Sequence, residues 1–452
     1  MNNKTDVFEH YPVPKALAVM AVPTIISQLI TLIYNMADTY YLGLTENPYM
    51  VAAVSLVLTV NLMSITFANI FGTGGGSLIS RLLGLKEEEE GRKVSAAAIW
   101  MALATAVLFV LLTMTFLDPI LKLLGASENT IGYARQYLFY VTGIGGIPTI
   151  MSLVLSNLTR SIGYSREAAF GMGLGGVMNM ILDPLFMFVL LPDGMQVTGA
   201  AVATMLSNTI SLLYFIFVLI RIRRTSVLTA DPRLGLPRRT SFASMFGVGI
   251  PAGISTLLFD LSAIVANKLM ASHGDIPLAA YGIVTKVERL PLNVGIGICL
   301  GMVPLIAYNY AAGNEKRMNE VFTCARAAGL GFAALCVVLY RVFSAQIISI
   351  FIRDAETVAY GTQFLQARCY ATPFMFLCFN MVHFFNALGR GRISLLLAVI
   401  RQAVLNIPIL LILNALAGID GLIWTQFTAD VLTVIASYLI YFRFRRKRKQ
   451  QG

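Results

Sequence analysis

The chain repeats itself. Pro23 in AVPTIISQLI is answered by Pro251 in GIPAGISTLL, Gly84 in SRLLGL by Gly313 in YNYAAGN, and Asn179 in MNMILDP by Asn406 in VLNIPIL. Each partner lies 227 to 229 residues downstream, in the same order. The repeated unit is apolar, with stretches near 20 residues that each suffice to cross a ~30 Å hydrocarbon core. Six spans duplicated in the same order reverse nothing, so the halves should be related by an axis along the membrane normal. These constraints predict an all-α polytopic membrane protein, with twelve transmembrane helices in two pseudo-symmetric lobes of six.

Composition agrees with this reading. Of the 452 residues, 57% are hydrophobic and only 13% charged, against about 25% charged in a typical soluble domain. Mean hydropathy is +0.73. The leading MNNKTDVFEHYPVPK is polar and shows no cleavage pattern, so the first span is expected to serve as its own insertion signal. The net charge of +11 is explained by its placement rather than by nucleic acid. Arg and Lys fall in alternate loops: Arg81 to Lys93, Arg160 and Arg166, Arg221 to Arg239, Lys316 and Arg317, Arg390 and Arg392, and the tail from Arg443 to Lys449. The intervening loops hold little beyond Lys122, Arg341 and Arg353. That bias predicts cytoplasmic termini, with the basic tail on anionic headgroups.

The twelve spans are expected near 16–42, 50–73, 94–117, 133–159, 167–191, 197–221, 245–270, 277–309, 320–345, 358–388, 394–415 and 420–442. The longest break, RIRRTSVLTADPRLGLPRRT, divides the chain into a first lobe (1–221), a cytoplasmic linker (222–240) and a second lobe with its basic tail (241–452). FGTGGG (71–76) is expected to end the second span, GIGGIP (143–148) to interrupt the fourth, and the run of Glu in GLKEEEEGRK to be a solvated helix start. Pro23 and Pro251 free a carbonyl inside their spans and permit matching bends.

The exceptions to the apolar rule carry the chemistry. Thr31, Asn35 and Asp38 share one face of the first span, with Tyr34 four residues before Asp38. An aspartate near mid-helix costs at least ~2.5 kcal/mol on insertion scales, so it should face the bundle interior or a wet cavity. The fifth span repeats the arrangement with Asn179, Asp183 and Pro184. A carboxylate, an amide and a nearby kink can hold a proton or a sodium ion. Two carboxylates close together repel, which suits reversible protonation; the alternative is a structural aspartate paired with a neighbour. Asn157 is expected to point into the cavity of Asp183, Arg160 to snorkel to the interface, and Thr204 to line the cavity. In the second half Thr256 and Asp260 share a face, as do Gln426 and Asp430, among Lys286, Glu288, Arg289, Arg368 and Arg401. This mixture reads as internal ion pairs, or as a second coupling site at Asp260 and Asp430. His383 is read as an interhelical hydrogen bond or a proton carrier. Five cysteines, Cys299, Cys324, Cys336, Cys369 and Cys378, form no CxxC and read as packing residues. Three scattered histidines build no zinc site.

The order and spacing of VPTIISQLITLIYNMADTYYLG, SRLLG, LTRSIG, MNMILDPLF, GAAVAT, YNYAAGN and NALGRGR resemble the multidrug and toxic compound extrusion (MATE) family over nearly the whole chain, and within it the DinF-like and MepA-like branch. The resemblance implies a V of two six-helix lobes and export of cationic amphiphiles in exchange for protons or sodium. It also implies a first-lobe site at Asp38 and Asp183, with Asn179, Asn157, Tyr34 and Thr204 as neighbours. The tenth span, ARCYATPFMFLCFNMVHFFN, lacks the aspartate that some members carry there.

No Walker A motif is present, which argues against ATP as the fuel, and neither HExxH nor GxSxG supports an intramembrane enzyme. The expected partners are cationic amphiphilic small molecules and membrane lipids, not nucleic acid. The protein is expected to act as a monomer with no cofactor beyond its coupling ion. A lipid-linked oligosaccharide flippase of related fold is the alternative, and it requires a strongly cationic cavity.

Overall fold

A computed structural model describes residues 6–192 and 194–450; the tail side chains at 447–449 lie outside it. The chain forms helices α1 (Asp6–Glu9), α2 (Val13–Gly43), α3 (Pro48–Gly84), α4 (Glu88–Thr115), α5 (Leu117–Leu123), α6 (Ile131–Leu138), α7 (Gly146–Ser161), α8 (Ser165–Leu185) and α9 (Gln196–Ile222). The second half follows with α10 (Arg239–Ala271), α11 (Asp275–Ala311), α12 (Glu315–Phe351), α13 (Ala355–Arg368), α14 (Thr372–Ala387), α15 (Gly391–Val399) and α16 (Ile407–Lys449). Short π-helical or 3-10 pieces join α6 to the break before α7, α13 to α14, and α15 to α16, and another extends α8. Taken together these make the twelve spans in order, because α6 and α7 form one span bent by 48° and α16 holds two helices joined at Gly418.

One expected boundary moves. FGTGGG does not end a helix: α3 runs on to Gly84, with Gly72 and Gly74 to Gly76 buried. Bare backbone there lets neighbouring helices approach, and tertiary packing overrides the poor helix propensity of glycine. GIGGIP does interrupt its span, through the π-helix Phe139–Ile144 and the bend at Gly145. The Glu run is only partly solvated. Glu90 is buried and accepts hydrogen bonds from the Arg238 N–H at 2.8 Å and from the Ser241 hydroxyl. Arg341, expected in a loop, lies inside α12.

The loops 85–87, 162–164, 223–238, 312–314 and 388–390 share one end of the bundle with α1 and the end of α16, called here the basic end. The two lobes meet there. Gly249 of α10 lies so close to the Ile70 carbonyl of α3 that a Cβ would collide with it, and Gly301 of α11 lies against Ala21 of α2. Ser77 donates to the Asn386 carbonyl at 2.6 Å, and Arg81 donates to Ser244 at 3.3 Å. The N-terminal segment straps the seam. Phe8 is fully buried and stacks on Tyr308 at 5.1 Å. Its carbonyl accepts from Arg317 at 2.7 Å and Asn309 at 3.2 Å, and Glu9 bonds the Tyr308 hydroxyl. From this seam the lobes diverge as a V toward the opposite end.

Candidate functional site

The first-lobe site is built on α2 and α8, which run parallel. Thr24 meets Ser165 at 3.2 Å, while Ile30 lies against Gly173 and Gly176, and Tyr34 against Gly176. Continuing this register brings Asp38 within about one helical turn of Asp183 in height, so the two aspartates lie near each other along one helix seam. Missing side chains at Gly173 and Gly176 make the close approach possible.

Asp183 is fully buried and Asn179 nearly so. The Asn179 amide donates to Asp183 Oδ1 at 3.2 Å and to Thr204 Oγ1 of α9 at 3.3 Å. Asp38 and Asp183 are close enough to interact electrostatically, and Tyr34 lies beside both. Three acceptor oxygens, Asp38 Oδ1, Asp183 Oδ2 and Asn179 Oδ1, are buried without a hydrogen-bond partner among the described residues. Each such group costs about 1–3 kcal/mol if left unpaired. An arrangement with three surplus acceptors attracts a cation. Among the described residues no three His, Cys, Asp or Glu side chains cluster as a metal site.

Other expected members lie elsewhere. Asn157 accepts from Arg160 at 2.9 Å and packs against Gly72. It sits four residues from the α7 end of the α7–α8 turn, whereas Asp183 is 18 residues beyond that turn's other side. At 1.5 Å per residue the two differ in height by about 20 Å, which removes Asn157 from the Asp183 cavity. Arg160 does not snorkel, because it is buried with Asn157 and Ser156 as partners. Thr31 and Asn35 bond carbonyls of their own helix, at Ser27 (2.9 Å) and Thr31 (2.8 Å), and Asn35 is exposed. A residue the sequence did not single out joins the site: Tyr137 of α6 is buried and within interaction range of Asp38, Asp183, Tyr34 and Thr204. Nothing in ARQYLFYV distinguishes it from a packing tyrosine, since its place depends on the bend between α6 and α7.

The second lobe is wired differently. Arg401 donates to both oxygens of Asp430 at 2.7 and 3.2 Å, Gln426 donates to Asp430 at 2.8 Å, and Asn406 donates to Gln426 at 3.1 Å. Arg368 grips Glu288 at 2.8 to 3.1 Å. Both are the internal ion pairs expected. Asp260 is not: its Oδ2 is buried without a partner, and no ion pair to it occurs among the described residues. It lines a cavity of about 310 Å³ with Glu288, Arg289, Arg368, Asn406 and Gln426. His383 Nδ1 bonds the Phe379 carbonyl of its own helix at 2.9 Å, not a neighbouring helix. Repeated Asn179 and Asn406 thus play the same structural part, each donating to the span that follows, while the first lobe lacks the arginine that neutralises the second.

The MatE family model matches twice, at residues 23–185 and 251–412, which is the repeat read from Pro23 and Pro251. The chain is 31% identical over 439 residues to the multidrug export protein MepA of Staphylococcus aureus strain MSSA476, covering 97% of this chain and 95% of that one. The MepA of Staphylococcus saprophyticus is also 31% identical, over 438 residues, with 97% and 95% covered. Among solved structures, an outward-facing MATE family transporter of the MOP superfamily superposes with a TM-score of 0.93 at 20% identity, and MATE in complex with MaD5 with 0.92 at 20%, each covering 100% of both chains. A duplicated six-span bundle, a site of helix-borne polar groups with no enzyme constellation, and these likenesses agree: the chain belongs to the MatE family of multi-pass membrane transporters associated with multidrug efflux.

Proposed function

We propose that the protein is a secondary active exporter that moves cationic amphiphilic compounds across the membrane in exchange for protons or sodium ions. The observation that supports this most is the neighbouring pair Asp38 and Asp183 with its three unpartnered acceptor oxygens. A proton or sodium ion bound there cancels the repulsion between the carboxylates and lets α2 and α8 draw together. A cationic substrate competes for the same negative charge, with Tyr34 and Tyr137 offering aromatic faces to it. Occupancy has a route to the rest of the molecule, because α2 also packs on α11 at Ala21 and Ile25. A ligand shifts the two-state equilibrium only by its differential affinity for the two states, so the site must lie on a helix that takes part in the rocking. Helix α2 meets that requirement. The relatives' description as multidrug export proteins supports the same direction of transport.

The flippase alternative needs an uncompensated cationic cavity. Arg368 and Arg401 are neutralised by Glu288 and Asp430, which leaves Lys286 and Arg289 and weakens that reading. The deciding experiment uses proteoliposomes, with ethidium uptake driven separately by a pH gradient and by a sodium gradient. One gradient is expected to drive uptake, and the wild-type rate is expected to fall at least ten-fold in Asp38→Asn and Asp183→Asn. Uptake with neither gradient would sink the proposal.

A further inference from the structure

Between α12, α13 and the last span lies a groove of about 400 Å³ that the transport site does not use. Its walls include Arg341, Thr362, Gln363, Tyr370, Asp420 and Trp424. Asp420 accepts from Gln363 at 2.9 Å and follows the turn at Gly418, where φ is 57°. His273 meets Asn414 at 2.6 Å, which ties that turn to the 272–274 turn. The groove therefore lies in the half of the bundle opposite the basic end and reaches the short hairpins at Asp420.

Two of its polar groups have nothing to bind. Arg341 has no hydrogen bond or carboxylate partner among the described residues; its guanidinium stacks over the Tyr370 ring at 5.6 Å, which leaves its edge donors free. Thr362 Oγ1 is buried without a partner among the described residues. Beside Arg341, Leu335, Val338, Leu339 and Val342 form an exposed apolar face of α12, the surface that lipid chains cover. Tyr370 and Trp424 stack at 6.2 Å and are partly exposed, as aromatic side chains are at headgroup level.

We propose that this groove binds one phospholipid of the surrounding bilayer. Its phosphodiester rests on Arg341 and Thr362, its glycerol against Tyr370 and Trp424, and its acyl chains along the exposed face of α12. Asp420 favours this occupant over a soluble phosphate. A diester carries a single charge and its headgroup brings a hydroxyl or ammonium donor for the carboxylate, whereas a free monoester carries nearly two charges and is repelled.

The purified full-length protein, stripped of lipid in detergent, is titrated with phosphatidylglycerol and, separately, with sn-glycerol 3-phosphate, and binding is read by native mass spectrometry. One phosphatidylglycerol is expected on the wild type, with no binding of the glycerol phosphate above background. Arg341→Gln and Thr362→Val are each expected to weaken the lipid at least ten-fold, while Arg353→Gln, in the loop beyond the groove, leaves it unchanged. An unaltered melting temperature without lipid shows that a variant is folded, and Thr362→Val reads the site if Arg341→Gln does not fold. Undiminished lipid binding in the folded groove variants, or an equal loss in Arg353→Gln, overturns the proposal. So does glycerol phosphate binding as tightly as the lipid, which would mark a soluble-phosphate site.

Discussion

Asp260 and Asp430 carry the same charge in the same lobe, and they should answer mutation in opposite ways. Asp430→Asn leaves Arg401 buried without its counter-charge, a loss expected to cost about 3–5 kcal/mol. Replacing both Arg401 and Asp430 by apolar residues of similar size should recover most of it. Asp260→Asn removes a partly buried carboxylate that has no ion pair, so its unfolding free energy should change by less than about 1 kcal/mol. Urea or thermal unfolding in detergent distinguishes the two, and equal destabilisation would contradict the wiring described. Asp38→Asn and Asp183→Asn belong with Asp260→Asn in stability and should differ from it only in export. From the sequence, Asp260 and Asp430 were indistinguishable acids among bases; only side-chain distances separate the paired from the unpaired.

At the scale of elements, the linker is held against the first lobe rather than hanging free. Ser95 exchanges hydrogen bonds with Thr229 at 3.0 and 3.1 Å, Trp100 donates to the Ala230 carbonyl at 2.9 Å, and Arg92 donates to the Arg223 carbonyl at 3.0 Å. Together with buried Glu90, these contacts fasten 223–238 to α4. Glu90→Ala strands the Arg238 N–H and the Ser241 hydroxyl, and faster proteolysis of the linker is expected than in the wild type. If the basic end is cytoplasmic, a single cysteine at Ser226 should resist impermeant maleimide in intact cells and react in inverted vesicles. Helix α13 shows a different local device. Thr357 donates its N–H (2.8 Å) and its hydroxyl (2.6 Å) to Asp354, which holds that carboxyl below its ordinary value. A depressed folded-state value means that the stabilisation is present above the unfolded value, near pH 4, and is lost as pH falls through the folded one. Protection of the amides in the first turn of α13, relative to their intrinsic exchange, should therefore fall only in acid.

For the whole molecule, the seam at the basic end is the contact that the proposed alternation between two states would have to open and close. Its close backbone approaches exist only while the lobes touch there. Gly301→Val should wedge α11 away from α2, and Phe8→Ala removes an aromatic plug whose full burial is worth about 3–5 kcal/mol. Both are expected to shift the population toward the state open at the basic end. Pulsed electron-spin distances between labels at Leu85 and Arg392 would lengthen if so; unchanged distances in both variants would show that the strap and the glycine seam do not set the equilibrium.

Much of this protein was legible in one dimension. Apolar length alone demanded membrane spans, since no other structure satisfies its backbone in lipid. The offset between Pro23 and Pro251 demanded two like lobes, and the cost of a carboxylate in a helix marked Asp38 and Asp183. Tertiary structure decided the remainder. It set Asn157 about 20 Å in height from Asp183, brought Tyr137 into the site through the bend after α6, paired Asp430 but not Asp260, and carried α3 through FGTGGG. In each case the reason is the same. Periodicity tells which residues share a helix face, but which face meets which, and at what height, depends on packing between helices distant in sequence, where a glycine or a single buried arginine settles the outcome.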